Sequence, residues 1–207
     1  MKGKFITVEG IEGVGKSSNI QFIRQELEKA GHHVLVTREP GGTSIAEDLR
    51  KILLNTYDEK TLPETELLIL YAGRLQHVQH VIAPALEQGK WVVCDRFNDA
   101  TYAYQGAGRG IPAEKIDTLN EWVLGSFVPD CTLILDASVE VGMSRIKPHR
   151  QLDRFENEKI SFFEKIRNAY LARAKKDPKR YIVVDAEQTL VDVQNDLAKI
   201  IQSLSSK

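Results

Sequence analysis

The stretch FITVEGIEGVGKS, Phe5 to Ser17, decides how the rest of the chain is read. It opens as a buried-strand run ending at Glu9. The residues that follow, Gly10-Ile11-Glu12-Gly13-Val14-Gly15-Lys16-Ser17, match G-x-x-x-x-G-K-[ST]. Behind them Ile20, Ile23, Leu27 and Ala30 recur at helical spacing and Gly31 marks a stop, so the motif joins a strand to an amphipathic helix. Glycines let successive backbone N–H groups face an anion, and a helix N-terminus adds partial positive charge. Gly10 to Ser17 are therefore expected to hold the phosphates of a nucleoside triphosphate, with Lys16 reaching the outer phosphates and the Ser17 hydroxyl ligating Mg2+. A polyphosphate repels Glu12. Its side chain either turns to a neutral polar group, such as a sugar hydroxyl, or points to solvent. No arginine lies between Gly10 and Lys16, so the charge that neutralises a transferring phosphoryl group has to come from elsewhere.

Working outward, further β-rich runs occur at His33–Thr37, Trp91–Asp95, Thr132–Asp136 and Tyr181–Asp185, with helical patterns between them. This alternation predicts an α/β fold in which a five-stranded parallel sheet is flanked by helices on both faces. A long helix is expected over 64–88 with Pro84 as its interruption, and a final one over about 190–204. Glycine clusters at Pro40-Gly41-Gly42-Thr43 and Gly106-Ala107-Gly108-Arg109-Gly110 read as loops. The segment Lys147-Pro148-His149-Arg150-Gln151-Leu152-Asp153-Arg154 is basic and interrupts two helical patterns, which makes 146–155 a candidate lid or else a solvated loop.

The chain has 207 residues, 42% hydrophobic and 28% charged, which suits a single domain over 1–207. Lys plus Arg number 28 against 29 for Asp plus Glu, and a net charge of -1 gives no general attraction to nucleic acid polymer or anionic membrane. No signal-like or membrane-spanning run occurs, so a cytoplasmic location is expected. Cys94 and Cys131 lie in or beside apolar runs and read as buried thiols. His77 and His80 share a helix face without a third ligand at zinc spacing, and are read as surface or subunit-contact residues.

A second anion site is visible. Asp95-Arg96 ends the third strand at the sheet edge where ligands of open α/β folds bind, with Asp95 suited to Mg2+ or its waters and Arg96 to a phosphate. Arg74 stands in the apolar stretch Leu67 to Leu75, on a face with Leu67, Leu70 and Tyr71. Such an arginine needs an anionic partner, either a structural carboxylate or an acceptor phosphate.

These residues together resemble the bacterial thymidylate kinase family. FITVEGIEGVGKSS, TREPGGT, LYAGRLQH, DRFNDATYAYQGAGRG and LDRFE stand in the family's order and spacing over nearly the whole chain. The resemblance implies a P-loop NTPase fold, a homodimer formed through helices, and transfer of the ATP γ-phosphoryl group to dTMP. It implies that Glu12 meets the acceptor sugar and that Arg38 and Glu39 lie near the acceptor. Arg74 and Arg96 would clamp its phosphate, Asp95 would lie near the metal, and Thr101, Tyr104 and Gln105 would line the thymine and sugar pocket. Arg150 and its basic neighbours, Lys147 and Arg154 among them, would be the lid cations of the branch whose loop lacks an arginine. Three features depart from the family: Leu70 replaces a phenylalanine that stacks on thymine, Ala100 replaces a serine, and the lid carries Pro148 and His149.

The acceptor's nucleophile would be an anionic phosphate oxygen, which needs positioning and charge neutralisation rather than a strong base. A kinase for another monophosphate is the nearest rival. A GTPase switch would carry Asn-Lys-x-Asp, which is absent, and a motor ATPase would end the third strand in Asp-Glu, where this chain has Asp-Arg. A catalytically silent nucleotide-binding module is a further alternative.

Overall fold

The computed structural model describes residues 3–146, 154–155 and 158–206. Five parallel strands form one sheet: β1 (Phe5–Glu9), β2 (Val34–Arg38), β3 (Trp91–Asp95), β4 (Cys131–Asp136) and β5 (Tyr181–Asp185), in the order β2-β3-β1-β4-β5. β1 pairs with β3 from Phe5 opposite Val92 and with β4 from Ile6 opposite Cys131. All of its residues are buried, because helices cover both faces of a parallel sheet. The chain winds from β1 out to β2, returns through β3 and crosses to β4. The C-terminal ends of β1 and β3 therefore meet at the crevice where the winding reverses, which is where ligands of such folds bind.

Alternation along the strands sorts the core. Ile6, Val8 and Val93 pack with Ile20, Ile23 and Leu27 of α1 (Lys16–Lys29) and with Val193, Leu197 and Ile201 of α9 (Leu190–Ser205). Phe5, Val92 and Cys94 point to the opposite face. There they meet Val78, Ile82 and Leu86, from the end of the segment that begins with α3 (Pro63–His77). That segment is the long helix expected from periodicity, but it is not uniform: a π-helical stretch, Val78–Ile82, separates α3 from α4 (Ala83–Glu87). Pro84 supplies no N–H and crowds the carbonyl of residue i−4, and the wider π turn absorbs both defects. α2 (Ser44–Leu54) packs beside α3, with Thr43 Oγ1 accepting from Ala46 N at its start.

The Gly106–Gly110 cluster departs from its reading as a loop. α5 (Asn98–Thr101) runs into a π-helical stretch, Tyr102–Gly108. This stretch packs on α6 (Ala113–Leu124) and α8 (Ile160–Lys176). A Cβ on Gly108 would stand 2.6 Å from the Phe162 ring, so the glycine serves close helix contact. Strand and helix ends otherwise agree with the sequence expectations within a residue or two. α7 (Val139–Ser144) precedes the segment 146–155, of which Ile146, Arg154 and Phe155 fall among the described residues. Cys94 and Cys131 are both buried free thiols.

Candidate active site

The loop between β1 and α1 turns through Gly10, Gly13 and Gly15, all at positive φ, and delivers the N-terminus of α1 to the sheet edge. Lys16 folds over this loop, its Nζ donating to the carbonyls of Gly10 at 3.0 Å and Ile11 at 2.8 Å. Burial, with Arg96 adding to it, lowers the Lys16 ammonium to about 8, although Glu12, Asp95 and Glu9 pull the other way.

Two cavities open on this edge. One, of about 120 Å³, is lined by Glu12, Glu39, Leu70, Arg74, Arg96, Thr101, Tyr104 and Gln105, together with Arg50, Leu53, Phe97 and Phe155. The other, of about 370 Å³, is lined by Ser17, Thr37, Arg38, Glu47 and Asp95. The expected acceptor residues thus converge, with one exception. Arg38 and Glu39 are consecutive at the end of an extended strand, so they face opposite ways. Glu39 reaches the smaller cavity. Arg38 lies on the other, where it pairs with Glu47 at 2.8 Å.

Glu12 turns to a neutral polar group, the Tyr104 hydroxyl, and also to a cation, Arg96. Its Oε1 accepts from Arg96 Nη2 at 2.8 Å and from the Tyr104 hydroxyl at 2.7 Å, and the Arg96 guanidinium lies over the Tyr104 ring at 4.7 Å. Its Oε2 is buried without a hydrogen-bond partner among the described residues, as is Thr101 Oγ1. A buried polar atom left unpaired costs about 1–3 kcal/mol, so two such atoms on one cavity wall mark places for ligand hydroxyl or amide groups.

Arg74 has the structural carboxylate as its partner. Its Nε donates to Glu39 Oε2 at 2.7 Å, Nη1 to Asn98 Oδ1 at 3.0 Å and Nη2 to the Phe97 carbonyl at 3.2 Å, and both ionic side chains are almost wholly buried. The other Glu39 oxygen meets His77 Nδ1 at 3.0 Å, and His77 Nε2 meets Thr37 Oγ1 at 2.7 Å. His77 is thus fully buried, against its reading as a surface residue, while His80 is exposed. Helical geometry alone does not show that an arginine and a histidine three residues apart both turn toward one carboxylate from another strand end.

Arg96 is the non-glycine residue at positive φ among the described residues, with φ 64. That conformation costs roughly 1–2 kcal/mol for an L-residue and clusters at functional sites. Two supporting residues had no motif to announce them. Glu9, at the end of β1, accepts from Phe97 N and from the Tyr170 hydroxyl, both at 2.7 Å, and its carboxyl is pushed up to about 8 by burial and then by Asp99. Glu66 of α3 gathers Gln105 Nε2, Arg109 Nε and Arg154 Nη1. Arg154, one of the lid candidates, is held there at the root of the basic segment and by the Leu53 carbonyl; Lys147 and Arg150 lie outside the described residues.

For Mg2+, the larger cavity offers hard oxygen donors in Ser17 and Asp95, and Asp95 Oδ1 is buried with no hydrogen-bond partner among the described residues. Among the described residues no three His, Cys, Asp or Glu side chains gather to cage an ion. The donor set fits a cation that keeps waters and phosphate oxygens in its shell, as Mg2+ does.

The thymidylate kinase family model matches residues 8–197. The chain is 52% identical to a thymidylate kinase of Pseudomonas fluorescens over 204 residues, covering 99% of this chain and 97% of that one. It is 48% identical to a thymidylate kinase of Cupriavidus necator over 206 residues, covering 99% and 100%. The crystal structure of thymidylate kinase from Ehrlichia chaffeensis superposes with a TM-score of 0.78 at 33% identity, covering 98% of this chain and all of that one. With a phosphate loop beside a pocket lined by arginines and this match along its length, the chain belongs to the thymidylate kinase family.

Proposed function

We propose that the chain transfers the γ-phosphoryl group of ATP to dTMP, giving dTDP and ADP, with the two cavities dividing the work. The observation that carries this reading is their arrangement: the smaller holds Arg74, Arg96 and unpaired Glu12 and Thr101 oxygens, and the larger holds Ser17 and Asp95 beside the Lys16 loop. Gly10 to Ser17 bind ATP, and Ser17 and Asp95 hold Mg2+, which would draw charge from the phosphate oxygens. Arg96 and Arg74 hold the acceptor phosphate. Glu12 Oε2 and Thr101 receive groups of the nucleoside, with Tyr104 and Gln105 on the wall and Leu70 against the base.

The phosphate of dTMP attacks in line as an anion, so these side chains position and neutralise rather than abstract a proton. Arg150 supplies lid charge in this reading, and a closed lid excludes water that would otherwise hydrolyse ATP. The enzyme works in the cytoplasm as a homodimer. Leu68 and Leu75, seven residues apart on α3, form an exposed apolar line, and Trp122 on the neighbouring α6 is 82% exposed, which supports a helical subunit contact. Among the described residues no helix is long and apolar enough to cross a membrane.

The test is ADP release from ATP with dTMP, dUMP, dCMP, dGMP, AMP or no acceptor. Release that depends on dTMP is expected. Equal release without acceptor indicates an ATPase, none at all a binding module, and a preference for another monophosphate the rival kinase.

A further inference from the structure

Arg96 is held in its left-handed conformation by bonds that converge on one buried carboxyl. Its own N–H donates to the Val8 carbonyl at 3.0 Å, which ties it to β1. The next N–H, of Phe97, donates to Glu9 Oε1 at 2.7 Å and so fixes the backbone on the far side of the turn. The other Glu9 oxygen accepts from the Tyr170 hydroxyl at 2.7 Å, and that hydroxyl accepts from Arg96 Nη1 at 3.3 Å. One carboxyl therefore braces the chain beside Arg96 and, through a tyrosine of α8, the head of its side chain.

Neither Glu9 nor Tyr170 lines the two cavities and both are fully buried, so their hydrogen bonds reach the acceptor cavity through Arg96 and the adjoining Phe97. A carboxyl buried at the end of an apolar strand, facing Asp99 as well as Arg96, is costly, and the bonds it makes to Phe97 N and the Tyr170 hydroxyl are what it supplies there. We propose that Glu9 and Tyr170 are positioning residues that hold Arg96 in its strained conformation with the guanidinium aimed into the acceptor cavity, and so set affinity for the acceptor phosphate. The inference rests on the reading of Arg96 as an acceptor clamp.

Steady-state kinetics on the full chain test both. Tyr170→Phe removes only the hydroxyl and keeps the packed ring. It is expected to raise the KM for dTMP roughly tenfold, on the scale of one lost hydrogen bond to a charged group. The KM for ATP should stay within about twofold, because the ATP loop is held separately. Arg96→Ala is expected to raise the dTMP KM further, and adding Tyr170→Phe to it should change nothing more, since residues acting through one group are not additive. Glu9→Gln keeps an acceptor for Phe97 N–H but loses the second oxygen offered to Tyr170, and guards against misfolding of the tyrosine variant.

A large Arg96→Ala effect beside wild-type dTMP KM values in Tyr170→Phe and Glu9→Gln overturns the inference alone. Equal rises in both KM values, or full additivity with Arg96→Ala, overturn it as well, since a general structural role produces either. An unchanged dTMP KM in Arg96→Ala removes the clamp reading and the inference with it.

Discussion

Gly42→Ala is the sharpest test of how the acceptor cavity is built. Gly42 has φ +90, and an added Cβ would stand 2.3 Å from Cδ2 and 2.4 Å from Nε2 of His77. His77 has no free space to retreat into: it is fully buried, bonded to Thr37 at 2.7 Å and to Glu39 at 3.0 Å, and Glu39 in turn holds Arg74 at 2.7 Å. The backbone strain is worth roughly 1–2 kcal/mol. Displacing the ring breaks at least one buried hydrogen bond, about 1–3 kcal/mol more. A total of roughly 2–5 kcal/mol lowers the melting temperature by about 5–15 °C in a chain of this size. The matched control is Gly110→Ala, at φ +83 with no atom within 4 Å of the added Cβ, which carries the strain without the clash. Thermal unfolding followed by circular dichroism compares the two, and the dTMP KM shows whether the disturbance travels through Glu39 to Arg74. In a His77→Ala background, Gly42→Ala should cost no more than the control. Equal losses from Gly42→Ala and Gly110→Ala in the parent would refute the reasoning, since the His77 contact would then carry no energy.

Lys16→Ala should abolish phosphoryl transfer while leaving the fold intact, because among the described residues the ammonium bonds only to carbonyls of its own loop; near-normal turnover in a folded sample would contradict its role. Leu70→Phe places an aromatic face on the acceptor cavity and should tighten dTMP binding by about 1 kcal/mol, read by calorimetry. The Glu9 carboxyl, raised from 4.5 to about 8, keeps a proton in the folded state that the unfolded chain has released, so its contribution to stability falls as pH rises through that window. Glu9→Gln cannot titrate and should flatten the decline measured by denaturant unfolding between about pH 5 and 8. Leu68→Glu should convert the proposed dimer to monomers in light scattering, and a dimer mass kept in the variant would count against a subunit contact at this helix face.

Phe5 to Ser17 announces itself because everything it needs is local: a buried strand, glycines at the turn, and a helix whose apolar face repeats every three to four residues. The five strands were legible for the same reason, as short apolar runs between helical patterns. The acceptor side was legible in part. Asp95-Arg96 and Arg74 stood out as charges in apolar settings, whereas Thr101, Tyr104 and Gln105 acquired meaning only through likeness to a family.

Tertiary structure decided the rest, because the determining contacts join residues far apart in the chain. Arg74 was open to two partners until β2 brought up Glu39, 35 positions away. Glu12 found Arg96 and Tyr104, 84 and 92 positions on, and Glu9 found Phe97 and Tyr170, 88 and 161 positions on. The glycine cluster after Gln105 became helical because its missing side chains let it press against Phe162. The sequence by itself determined the sheet, the phosphate loop and its charge, all properties of short windows. Which carboxylate neutralises which arginine, and how Arg96 is aimed, depend on long-range packing that no local pattern encodes.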